Sequence, residues 1–189
     1  MNQKDRETVR EEYYRLEEQF LGLTQYIPLV ADVEETRYRI ASPRAAEFGI
    51  DCGTWIDTLM RELVFDDRCN SAPAVENLRQ AITGDGRVQI NSLRDILEPQ
   101  FRFSAAAFQL RGFAESSVMP FRAWADGRPL DWYQVYSAQK HNRLKLAQEF
   151  TMGHALHSFA GLTALVPLLR QVGEMYQPRG SRVFDQVLI

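Results

Sequence analysis

Four basic side chains stand close together in the stretch DWYQVYSAQKHNRLKLAQEF, residues 131–150: Lys140, His141, Arg143 and Lys145. Trp132, Tyr133 and Tyr136 precede them, and no acid occurs between Asp131 and Glu149. These residue types can handle an anion. A histidine, with an unperturbed pKa of about 6.5, can give or take a proton near neutral pH. RNA cleavage needs one group to move a proton at the 2′-hydroxyl and a cation to hold the phosphate. His141 with Lys140, Arg143 or Lys145 has that chemistry. The same set also arises on the outer face of an ordinary basic helix, where a histidine is simply solvated.

On a helical wheel the four residues divide. With about 100° per residue and Trp132 at zero, Val135, Tyr136, Leu146, Ala147 and Phe150 form a broad apolar arc that Tyr133 and Leu144 extend. Arg143 falls at about 20° and Lys140 at about 80°, both inside the arc. His141 falls at about 180° and Lys145 at about 220°, on the polar side. A buried unpaired charge is costly, so Lys140 and Arg143 must snorkel, find an acid or face a cleft. Asp51 and Glu62 flank the apolar stripe of an upstream helix, and Asp57 lies nearer its far side. Any of these acids could make a structural ion pair with Arg143 or Lys140, Lys140 being the more exposed of the two cations.

The remaining histidines, His154 and His157, are three positions apart. Three histidines could hold zinc in principle. No acid or cysteine stands beside these two at ligand spacing, and their surroundings are apolar. They read as core histidines with hydrogen-bond partners, and no metal or cofactor is expected. Gly84 and Gly86 in TGDGR read as a turn rather than a phosphate loop, and no nucleophile elbow occurs.

These residues need a scaffold, and the chain supplies helices. Residues 4–24 place Val9, Tyr13, Leu16, Phe20 and Leu23 at three- and four-residue steps, with Glu7, Glu11, Glu12, Glu17 and Glu18 on the solvated side. Ser42 and Pro43 open a second helix as N-cap and first residue; Phe48, Cys52, Trp55, Leu59 and Leu63 form its stripe. Residues 71–82 form a shorter helix, and NSLRDILEPQ a capped one ended by Pro99. Residues 101–112 read as a short extended segment or a surface loop, and MPFRAWADGRPLD as an approach loop. Asp131 caps the helix of the basic stretch. A last helix covers about 152–176, with Gly153 as a break before it. The fold class is therefore all-α: a helical bundle in one domain over 1–189, with 177–189 as a docked tail.

Composition bounds the function. The formal net charge of -3 argues against a surface that is basic throughout, so an anion site must be local. The two cysteines, Cys52 and Cys69, are too few for a disulfide framework, and MNQKDRETVREEYY lacks the apolar core of a signal peptide. Both features point to the cytoplasm. TMGHALHSFAGLTALVPLL, residues 151–169, carries no Asp, Glu, Lys or Arg. Its histidines, Ser158, Thr163 and Pro167 favour a buried central helix over a membrane span.

PFRAW…WYQVYSAQKHNR, followed by the apolar ALHSFAGLTALVPLL, resembles bacterial proteins with an aromatic-Tyr-Asn-x-x-Lys-His-x-Arg motif before a last core helix. That arrangement is similar to the HEPN superfamily of small helical bundles. The likeness is strongest over 120–170 and looser over the Ser42 helix. It implies a dimer, and a role in RNA handling, as in ribonucleases of toxin–antitoxin and antiphage systems or in inactive RNA-binding and assembly modules. The superfamily's active motif is an arginine, usually followed by a polar residue, then a histidine after four to six intervening residues. His141 takes the histidine place. Tyr136 stands in the arginine's place and Ser137 where the asparagine often is.

The resemblance thus implies a metal-independent endoribonuclease or a degenerate relative, with His141, Lys140, Arg143 and Tyr136 at a groove shared by two copies. His141 would be the general acid or base, Lys140 and Arg143 would bind phosphate, and Tyr136 would orient or stack. RNA, a second copy of the chain, and a protein partner such as an antitoxin are the expected partners. The alternative is a non-catalytic interaction module in which Lys140, Arg143 and an acid of the Ser42 helix form a structural network.

Overall fold

The computed structural model describes residues 3–32, 36–84, 86, 88–141, 149–168 and 181–188, with the backbone alone at 3, 6, 141 and 186–188. Helix α1 (Gln3–Thr24) buries Val9, Tyr13, Leu16 and Phe20, the stripe that its spacing defines. Helix α2 (Pro43–Leu63) starts on Ser42, whose backbone is extended and whose side chain makes no cap bond; Pro43 needs no N–H partner at that position. Helices α3 (Val75–Thr83) and α4 (Ile90–Phe101) follow. Pro99 does not end α4 but lies inside its last turn, and the helix ends where Arg102 adopts a left-handed conformation at φ 52°.

Strand β1 (Ala107–Leu110) is the extended segment, and it is not a surface crossing: Phe108 and Leu110 point inward and are buried. A short 3₁₀ turn at Arg122–Asp126 leads to α5 (Asp131–His141). Residues 149–151 are no longer helical; there Thr151 bridges to Ala41, and the Ser42 N–H donates to the Phe150 carbonyl at 3.3 Å. A single helix through Phe150 is therefore not formed.

Helix α6 (Met152–Leu165) is apolar all round because every side is covered: it packs most extensively on α2 and also touches α1 and α5. Gly153 is its second residue rather than a break before it. Val166–Leu168 forms a 3₁₀ turn at Pro167, and the expected continuation to 176 lies outside the described residues from 169 onward. No helix among the described residues is long and apolar enough to cross a membrane. Strand β2 (Phe184–Leu188) pairs antiparallel with β1, Phe108 opposite Val187.

The described residues form a mostly helical bundle with one two-stranded sheet. Phe159 of α6 is the hub of its core, 5.3 Å from the Phe20 ring, 5.5 Å from Tyr13 and 5.9 Å from Phe184. Glu17 departs from the sequence expectation. It is buried, not solvated, because it accepts the Ser181 hydroxyl at 2.8 Å and the Arg182 N–H at 2.7 Å at the start of the β2 segment. A buried carboxylate needs such donors, and a helical wheel of α1 alone cannot show them.

Candidate functional site around Asp57

Two glycines one helical turn apart let α5 and the segment at Phe150 lie close on α2. A Cβ on Gly53 would stand 2.4 Å from the Tyr136 ring, and one on Gly49 would stand 2.0 Å from the Phe150 ring. Only a bare backbone lets the rings lie there, so GIDCG in α2 is a seat for two aromatics. With its ring on Gly53, Tyr136 reaches Asp57 one turn further along α2. Its hydroxyl donates to Oδ2 of Asp57 at 2.9 Å, while the Tyr133 hydroxyl donates to Oδ1 at 2.6 Å. The Lys140 ammonium completes the group, 3.4 Å from the same Oδ2 and 3.4 Å from the Tyr136 oxygen. Tyr133, Tyr136 and Lys140 occupy positions i, i+3 and i+7 of α5, one face of that helix.

Burial, the charge of Asp57 and the hydrogen bond to it, in that order, push both phenols well above the usual tyrosine value, with the positive charge of Arg61 opposing in each case. Both therefore remain protonated donors at neutral pH, and neither serves as a phenolate base. The Asp57 side chain is only 18 % exposed, whereas that of Lys140 is 51 % exposed. Asp57 thus has a donor on each oxygen and a cation beside it. Lys140 faces solvent with its charge partly offset.

Two of the four candidate residues, Tyr136 and Lys140, meet here. Tyr136 is fully buried, so a base cannot stack on its ring; burial against Gly53 and Asp57 overturns that role and leaves only orientation. His141 is the last residue of α5, described by its backbone alone, and Arg143 and Lys145 lie outside the described residues. Asp57, though nearer the far side of the α2 stripe, is the acid that Lys140 meets. Tyr133, read from the sequence only as part of the apolar arc, and Arg61 were not among the expected site residues. The i, i+3, i+7 spacing of Tyr133, Tyr136 and Lys140 was the available signal.

The other histidines have structural partners. The His154 Nδ1 accepts the Thr151 N–H at 3.2 Å while the Thr151 hydroxyl accepts the His154 N–H at 3.3 Å, a reciprocal cap that opens α6. The His154 Nε2 then lies 3.0 Å from Asp131, so its proton sits on that nitrogen. His157 bonds through Nδ1 to the Gly153 carbonyl at 3.0 Å. Among the described residues no group of three His, Cys, Asp or Glu side chains could hold a metal ion. No family model, curated protein or solved structure matches this chain.

Proposed function

We propose that this protein is a degenerate HEPN-like bundle that holds RNA without cleaving it, acting as a dimer in the cytoplasm in a bacterial defence or toxin–antitoxin setting. The supporting observation is the state of the groups at the motif. Tyr136, in the arginine's place, spends its hydroxyl on Asp57, and Lys140 shares that carboxylate. A carboxylate beside the phosphate-holding cation repels a phosphate and weakens transition-state binding. Lys140 and Arg61 still place two positive charges around the site, enough for a local anion contact on a chain of net negative charge.

The test combines binding and cleavage. A fluorescein-labelled single-stranded RNA is titrated with wild type, Lys140→Ala and His141→Ala at low salt, and the same mixtures are run on a denaturing gel. The expected result is binding that Lys140→Ala weakens several-fold and salt diminishes, with the RNA intact in every lane. Cleavage by wild type that disappears in His141→Ala would overturn the non-cleaving reading. A second reading, a structural interaction module without RNA, is favoured by the two phenols and one ammonium gathered on Asp57. It would be adopted if no RNA binds at low salt.

A further inference from the structure

A groove runs between the last turns of α1 and the first turns of α2. Its larger part, about 710 Å³, is lined by Gly22, Leu23 and Tyr26 of the α1 side and by Arg44, Glu47 and Asp51 of α2. An adjoining part of about 300 Å³ shares Leu23, Tyr26 and Arg44 and is lined also by Ile27, Ala45 and Met152.

Three observations suggest an occupant. The first is Gly22. It lies within α1, where glycine weakens a helix relative to alanine, yet a Cβ there would meet no atom of the described residues within 4 Å. Packing among the described residues does not require that glycine, and its missing side chain leaves the groove open among them. The second is Tyr26, at 72 % the most exposed of the large hydrophobic residues described, with the Arg44 guanidinium 5.4 Å from its ring centre. Tyrosine and arginine are residue types that anchor protein interfaces. The third is charge. Glu47 and Asp51 stand one turn apart on α2 in the larger part, next to the mainly apolar smaller cleft, and Asp51 lies 3.3 Å from the half-exposed Arg15.

We propose that this groove receives an amphipathic helix of a protein partner, with a leucine- or methionine-sized side chain in the smaller cleft and a lysine or arginine opposite Glu47 and Asp51. A helix fits because the opening follows two helices and α1 is bare at Gly22, so a third helix can approach its backbone closely. The mixed charge favours a partner with an apolar stripe and a basic flank over a uniformly acidic one. This surface is separate from the Asp57 site and does not depend on the RNA reading.

The test uses the full chain and a labelled helical peptide of about 18 residues with leucines at i, i+3, i+4 and i+7 and lysines on one flank. A second peptide carries glutamates in place of the lysines. Fluorescence anisotropy is expected to show saturable binding of the lysine peptide, about tenfold weaker for the glutamate peptide and about tenfold weaker for Gly22→Leu. Tyr26→Ser, at an exposed position, is a second variant expected to weaken binding without lowering the melting temperature. Equal binding of both peptides, no saturation up to millimolar protein, or indifference to both variants would overturn the proposal. A wild-type dimer that Gly22→Leu splits in sedimentation would make the occupant a second copy, and displacement of the peptide by an RNA oligonucleotide would make it nucleic acid; either outcome rejects the partner helix.

Discussion

The two sides of α2 use glycine in opposite ways. Toward α5 and Phe150, Gly53 and Gly49 are bare because the rings of Tyr136 and Phe150 fill the space a Cβ would take. Across the groove that α2 shares with α1, Gly22 is bare with open space in front of it. The first contact is complete within the chain and sets Asp57 among its donors. The second is incomplete within the described residues. A glycine by itself therefore says only that a side chain is absent; what occupies the space decides whether it closes a core or opens a surface.

The largest expected effect is on the closed side. Asp57→Ala strands two mostly buried phenols and should cost about 2–4 kcal/mol of unfolding free energy, measured by urea denaturation. Gly53→Ala should cost about 1–3 kcal/mol through the clash with the Tyr136 ring, even though alanine is the better helix former. If Gly53→Ala were stabilising, the seat for Tyr136 would be softer than the 2.4 Å approach implies.

Alkaline pH probes the same side more gently. The folded phenols of Tyr133 and Tyr136 are raised above their unfolded values, so their contribution is full below about pH 10 and is lost as pH rises beyond it. Thermal melts between pH 9 and pH 11 should fall more steeply for wild type than for the Tyr133→Phe, Tyr136→Phe double variant (a range set by the ordinary tyrosine pKa of about 10). Equal slopes would mean that the phenols do not titrate with unfolding.

On the open side, Gly22→Ala should raise stability by about 0.5–1 kcal/mol, the reverse sign of Gly53→Ala. A loss there would show that the space in front of Gly22 is filled within the chain. The smallest effect belongs to Lys140→Ala. With the lysine half exposed, its ion pair should contribute less than about 1 kcal/mol, and the melting temperature should barely move.

Much of the scaffold was legible because helix signals are local. The stripe of α1 and the Ser42–Pro43 start of α2 are both present in the fold, and the apolar run at 151–169 contains the central helix α6. Pro99 misled because a proline weakens a helix interior, by losing one N–H bond and crowding the turn before it, without always ending it, and here two further residues complete the last turn. Glu17 misled because its donors, Ser181 and Arg182, are more than 160 positions away. The cap on α6 was hidden because histidine replaces the glutamate of the usual Ser/Thr-x-x-Glu pattern.

At the candidate site, the sequence alone determined that Tyr133, Tyr136 and Lys140 would share one face of a helix, since that follows from 3.6 residues per turn. It also determined that Lys140 would need an acid, a cleft or open water, since a charge among aromatics must be compensated. Only the tertiary structure decided which acid. Asp57 takes the lysine because Gly53 lacks the side chain that would hold Tyr136 and α5 away from α2, and the depth of that approach depends on two segments meeting across about 80 positions of chain.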